Sequence, residues 1–310
     1  MTLGVIALVL LAAGPPAEAI IDVHLHCYAS DPRWDARLGN PVTGQKMTAT
    51  DEAAHRAATF AAMERAHIVK AVVSGNHDAA LRWREAAPEK VIIGYDFDDP
   101  TTLDLQFVRK EHAAGRLDVL GEGGPQYEGI GPDDPRMEPV YALAEELDIP
   151  LALHMHPGPP GATSIGFPKI RPSLGNPLLL EEVLFRHPKL RLYIMHAAWP
   201  FLDELMALMH SYPSVYVDLG VIDWTRPPRE FHHYLRRLVQ SGFGRRIMFG
   251  SDQMVWPESI AMAVARIREA DYLTPRQRRD ILHDNAARFL RLMPVTPTAP
   301  PGAMETLPRD

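Results

Sequence analysis

The chain predicts a single-domain α/β fold, a (β/α)8 barrel of the TIM type, and three observations carry that expectation. Short β-branched or apolar runs alternate with longer segments of helical period, which is the pattern of βα units around a parallel sheet. Eight such runs can be counted, and no glycine-rich nucleotide fingerprint follows the first, so a closed barrel is favoured over an open doubly wound sheet. Residues able to ionise or bind metal follow several runs directly, and barrels of this kind gather their chemistry at the C-terminal strand ends.

In order, the expected strands are Ile20 to His24, Val69 to Ser74, Val91 to Tyr95, Val119 to Gly121, Pro150 to His154, Leu192 to Met195, Val215 to Leu219 and Ile247 to Gly250. The fourth is the weakest signal, because Leu117-Asp118-Val119-Leu120 is short and charged. Among the helical segments, Asn176-Pro177 supplies an N-cap and a first-turn proline for a helix from Leu178 to Arg186. A last helix from Pro275 to Leu292 closes the barrel, which is expected to occupy residues 20–293. Ahead of it, the apolar run from Leu3 to Ala13, a Pro-Pro break and Ala17-Glu18-Ala19 predict a signal peptide over residues 1–19 and a periplasmic or secreted protein. No Lys or Arg precedes the run, so a cytoplasmic location stays open as the alternative, and the run is too short to span a bilayer. Residues 294–310 are Pro-rich with few apolar side chains and are expected to be an unstructured tail.

Composition narrows the chemistry. A net charge of -7 without any long Lys/Arg run argues against nucleic acid as partner and leaves a small-molecule substrate, with self-association into a homo-oligomer left open. Cys27 is the only cysteine, so neither an intrachain disulfide nor a Cys-rich zinc site can form. Metal ligands must come from Asp, Glu and the 14 histidines.

The strand ends supply them. In Asp22-Val23-His24-Leu25-His26, alternation along an extended strand turns His24 and His26 to one face and Val23 and Leu25 to the other. His154 ends the fifth run, His196 follows the sixth, and Asp252 follows the eighth in Gly250-Ser251-Asp252. Imidazole and carboxylate ligands without thiolate suit a divalent metal, zinc foremost, with manganese, iron or cobalt as alternatives.

This ordered set resembles the metal signature of the amidohydrolase superfamily, and more narrowly the amidohydrolase-related (amidohydrolase 2) group of metal-dependent hydrolases, decarboxylases and hydratases. The closing Asp284-Asn285-Ala286-Ala287-Arg288-Phe289-Leu290 also resembles the helix that ends many of those chains, so the likeness runs from about Ile20 to Leu292. The resemblance implies His24, His26, His154, His196 and Asp252 as metal ligands. His156 lies on the same side of the strand as His154 and either could be the fifth-strand ligand; His154 is preferred because it follows the apolar run directly, which leaves His156 as a substrate contact or proton shuttle. Two-metal members of the superfamily often carry a carboxylated lysine or a glutamate on the fourth strand, and Glu122 resembles the glutamate version. Its alternative role is to hydrogen-bond a ligand histidine or bind substrate. One ion is expected, two if Glu122 bridges.

Around these, Tyr127 and Trp199 are candidate substrate-binding residues, and Gln253, Met254 and Trp256 follow strand ends where packing is the commoner role. Asp218 and Asp223 are expected to be structural, and His77 stands where a substrate contact is placed. The expected activity is metal-dependent hydrolysis of a carbonyl, ester, lactone or amide, with Asp252 taking a proton from activated water and Asp252 or His196 returning it to the leaving group. The alternatives are a non-oxidative decarboxylase or hydratase of a small carboxylic acid and, from another class, a metal- or ligand-binding barrel without turnover.

Overall fold

The computed structural model describes residues 18–28, 39–49 and 51–292. Almost all of the expected signal peptide, and the expected tail, lie outside those residues. Eight parallel strands pair in sequence order: β1 (Ile20–His26), β2 (Ile68–Ser74), β3 (Val91–Phe97), β4 (Val119–Gly123), β5 (Leu151–His154), β6 (Leu192–Met195), β7 (Tyr216–Asp218) and β8 (Ile247–Met248). The ring is drawn together between its first and last strands, where Val23 N–H donates to the Phe249 carbonyl (3.0 Å) and Asp252 N–H to the His24 carbonyl (2.7 Å). Asp22 reinforces that seam, its Oδ1 accepting from His24 N–H at 2.9 Å and Ser251 N–H at 3.0 Å.

Among the described residues eleven α-helices surround the strands: α1 (Glu52–Ala66), α2 (His77–Ala86), α3 (Leu105–Ala113), α4 (Glu138–Glu146), α5 (Glu181–Arg186), α6 (Leu202–Ser211), α7 (Ile222–Thr225), α8 (Pro228–Leu238), α9 (Ser259–Arg268), α10 (Pro275–Arg279) and α11 (Asn285–Phe289). Side chains satisfy free N–H groups at the starts of some of them: Asp51 caps α1, Asn76 caps α2 and Asp104 caps α3. The expected Leu178 to Arg186 helix begins as a 3-10 turn, Pro177–Leu180, before becoming α5, and Asn176 Oδ1 accepts from Leu178 N–H at 3.0 Å. The last helical stretch is continuous but changes pitch, a π-helical segment Asp280–Asp284 joining α10 to α11.

Two apolar layers hold the barrel. The larger fills the space between strands and helices. The smaller contains Ile21, Val23, Val72, Ile92, Val119, Ala152, Tyr193, Met195 and Met248, with Tyr216 against it, so every strand contributes and the set marks the lumen. Ala286, Ala287 and Phe289 of α11 belong to it and stopper one end. This corrects the alternation expected along β1. Val23 packs in the lumen while Leu25 joins the outer layer, because the β1–β2 register shifts between Asp22 and Leu25. The irregularity allows His24 and His26 to face inward just above Val23.

The fourth strand is longer than expected. Tyr95 pairs with Gly121 and Phe97 with Gly123, carrying Glu122 into the sheet. Gly121 has φ +133°, and a Cβ there would stand 2.4 Å from the Ala152 carbonyl oxygen, so only glycine lets β4 pass β5 this closely. Among the described residues no helix is long and apolar enough to cross a membrane.

Candidate metal centre

His24 and His26 are buried at the end of β1 with their Nε2 atoms 3.1 Å apart. Their other ring nitrogens are engaged by the ends of β7 and β2: His24 Nδ1 lies 3.2 Å from Asp218 Oδ2, and His26 Nδ1 lies 3.1 Å from Ser74 Oγ. Gln253 grips the His26 backbone, accepting from its N–H at 2.9 Å and donating to its carbonyl at 2.7 Å. Across the mouth, His154 Nδ1 and His196 Nε2 are 3.0 Å apart. His196 Nδ1 faces the Gly220 carbonyl at 2.9 Å, and its backbone N–H donates to Asp218 Oδ1 at 3.1 Å. Gly220 is itself required: a Cβ there would stand 2.6 Å from His24 Nδ1.

Two carboxylates sit among the four imidazoles. Asp252 Oδ1 is 3.1 Å from His26 Nε2 and 3.6 Å from His24 Nε2, and its Oδ2 is 3.9 Å from His196 Nδ1. Glu122 divides its two oxygens. Oε2 faces the β1 pair, 3.2 Å from His26 Nε2 and 3.5 Å from His24 Nε2. Oε1 faces the other pair, 2.6 Å from His154 Nδ1 and 3.6 Å from His196 Nε2. Burial opposes ionisation of Glu122, but contacts with His154, His196, His24 and His26 hold its carboxyl well below the usual range. Asp252 is likewise held low against burial, by the charge of His24 and the hydrogen bond from His26. Burial would lower His24, yet the charges of Asp252 and Asp218 raise it well above an ordinary histidine, and His26 and His196 are also raised against burial. His154 is lowered, burial prevailing there.

The residues present fit a divalent cation. A proton on Nδ1 of His24 or His196, donated to Asp218 or the Gly220 carbonyl, leaves an Nε2 lone pair pointing inward, and orienting partners of this type are usual behind metal-ligating histidines. Two overlapping trios, His24, Glu122, His196 and His24, His26, Asp252, keep their ligand atoms within 4.8 Å of one another.

His156 stands beside this cluster. Its ring centroid is 5.2 Å from that of His196, its Nδ1 accepts from Gly158 N–H at 3.1 Å, and Glu122 touches His154 instead. Burial, with His196, His154 and Arg226 nearby, holds His156 well below the ordinary histidine range. The Tyr127 ring packs 4.7 Å from His154, and Trp199 lies 5.6 Å from His156. Trp256 is buried in the outer core, Met254 packs against it, and Gln253 supports the His26 backbone. His77 is turned away, its Nε2 3.4 Å from Glu111 of α3 and its ring against Tyr95 and Phe107.

Asp218, expected to be structural, contacts His24, His196 and Gly220 together. Its signal was its place at a strand end. Ser74, ending β2, carried the same signal. Asp223 is buried with neither carboxylate oxygen hydrogen-bonded among the described residues, and burial pushes its pKa well above the carboxylate range.

Comparison with known proteins agrees with this architecture. The chain is 25% identical over 173 residues to Protein fluG of Emericella nidulans, a match covering 51% of this chain and 19% of that protein, so it spans about a fifth of its curated relative. The structure resembles 5-carboxyvanillate decarboxylase from Sphingomonas paucimobilis, with a TM-score of 0.60 at 15% identity over 89% of this chain and 99% of the other. It also resembles a probable 2-pyrone-4,6-dicarboxylic acid hydrolase from Acinetobacter baumannii, with a TM-score of 0.60 at 12% identity over 88% and 99%. The model of the amidohydrolase family (amidohydrolase 2) matches residues 21–292, and with the eight-stranded barrel spanning the same residues, the chain belongs to that family.

Proposed function

We propose that the protein is a metal-dependent hydrolase of a small carbonyl compound, an ester, lactone or amide, with His24, His26, His154, His196, Asp252 and Glu122 holding the metal. The observation that carries this reading is the division of Glu122, one oxygen toward each histidine pair. A carboxylate so placed suits two ions, and paired ions favour hydrolysis. When bound, a divalent metal supplies positive charge that acidifies water and polarises a carbonyl.

The chain's own groups provide the rest. Asp252 is ionised and faces the centre, so it is the base that accepts a proton from water and later returns it to the leaving group. His196 is fixed by Asp218 and Gly220 so that its Nε2 faces the centre. Enclosure is supplied by Tyr127 and Trp199, which border the centre on the side of β5 and β6.

A second reading, decarboxylation of a small aromatic acid, draws on the fold shared with 5-carboxyvanillate decarboxylase. Metal analysis of wild type and Glu122→Gln, with a screen of esters, lactones, amides and aromatic acids, separates the two. Two equivalents falling to one, with hydrolytic turnover lost, is the expected result. One equivalent in both proteins, with carbon dioxide released from an aromatic acid, would replace hydrolysis by the lyase reading.

A further inference from the structure

Beside the candidate metal centre, the structure carries donors that the proposed chemistry leaves unused. Because Gly158 N–H donates to His156 Nδ1, the proton of a neutral His156 sits on Nε2. That Nε2 is buried and has no hydrogen-bond partner among the described residues, in a residue only 7% exposed. An unmet N–H in such a position is costly unless a ligand or water meets it. The Trp199 ring links His156 to a cation. His156 lies 5.6 Å from it and the Arg226 guanidinium 4.6 Å from its centroid.

Arg226 is half-buried and within ion-pair distance of no carboxylate among the described residues; the one side-chain hydrogen bond it makes among them, Nε to Thr225 Oγ1, is long at 3.4 Å. Glu230, whose charge acts on it, is engaged by Trp199 Nε1 at 3.3 Å. Such an arginine keeps its planar fork free, and that fork matches the paired oxygens of a carboxylate or phosphate. Tyr127 packs against both His154 and Phe167, adding aromatic surface beside the histidine cluster.

We propose that Arg226 and His156 form an anion-recognition subsite at the rim of the centre, and that the substrate is a planar, largely apolar molecule bearing an oxyanionic group. This rests on the hydrolase reading for its reacting end only. Arg226 and His156 take the oxyanion, aromatic side chains flank the body, and the scissile carbonyl is directed to the histidine cluster.

Calorimetric titration of the metal-loaded protein with benzoate, phenylphosphonate and benzamide tests it, comparing wild type with Arg226→Gln and Arg226→Lys after circular dichroism shows each folded. One anion is expected to bind wild type and to bind Arg226→Gln roughly 10- to 100-fold more weakly at equal metal content, the loss of one charge-assisted contact, with partial recovery in Arg226→Lys. Neutral benzamide is expected to bind weakly and alike in all three. Preference for benzoate identifies a carboxylate substrate, and preference for phenylphosphonate a phosphoryl one. Equal anion binding with and without Arg226, benzamide binding as tight as benzoate, or no anion binding overturns the subsite. Repeating the titration on chelator-treated protein separates the two ideas: an Arg226-dependent anion response there upholds the subsite even if the metal reading fails.

Discussion

Asp218 shows how one buried carboxylate can set the geometry of two histidines. Its Oδ1 accepts from the backbone of His196 and Gly220 while its Oδ2 faces His24 Nδ1, so it fixes where His196 begins and which nitrogen of His24 turns inward. Asp218→Asn keeps the first function through its carbonyl but sets an NH2 group against His24 Nδ1, forcing that ring toward the opposite tautomer. Metal affinity is expected to fall by about 10- to 100-fold with the fold preserved, the usual effect of removing a partner behind a ligand histidine, as read from competition with a chromophoric chelator. Unchanged affinity would mean His24 is held without it. The candidate ligand residue types were legible because each follows an apolar run, but the pairing of Asp218 with His24 was not, since it joins residues 194 apart in the chain.

At the scale of elements, β4 positions Glu122 because glycine allows close approach. Gly121→Ala adds a Cβ 2.4 Å from the Ala152 oxygen at a φ that L residues rarely adopt. It is expected to lower stability by about 1 to 3 kcal/mol and to reduce bound metal as Glu122 shifts, measured by urea unfolding and elemental analysis. Full metal content in a folded Gly121→Ala protein would show that Glu122 is placed by other contacts. Between α2 and α3, Glu111 receives two hydrogen bonds from Arg116 (2.6 and 2.7 Å) and lies 3.4 Å from His77. The Arg116 contact, with His77, lowers its pKa from 4.5 to about 2. A carboxyl depressed in the folded state stabilises fully above its unfolded pKa, and that contribution is lost as pH falls toward the folded value. The stability gap between wild type and Glu111→Gln should therefore be constant from neutral pH down to about 5 and narrow below it. A gap that widens on acidification would contradict the assignment. Strand spacing was legible from apolar runs, whereas the extension of β4 through Gly123 was not, because its pairing with Phe97 depends on where β3 lies.

For the whole molecule, the six candidate ligands come from the ends of five strands, so metal and fold should be linked. Chelation is expected to lower the thermal midpoint, and readdition of zinc to restore it, since a ligand at about a hundred times its Kd contributes roughly 2.7 kcal/mol. The raised pKa values of His24 and His26 mean that protons compete with metal, so affinity should fall as pH falls through those values. A midpoint indifferent to chelator would separate the cluster from metal binding. By itself the sequence determined the barrel, its strand order and the set of residues able to bind metal, because apolar periodicity and strand-end position are local properties of a chain. Only the tertiary structure decided that Glu122 stands between two histidine pairs, that His154 rather than His156 meets it, and that the His156 N–H and Arg226 flank one tryptophan. Those outcomes depend on a register shift in β1, the close passage of β4 past β5, and side-chain directions set by packing between segments distant in the chain.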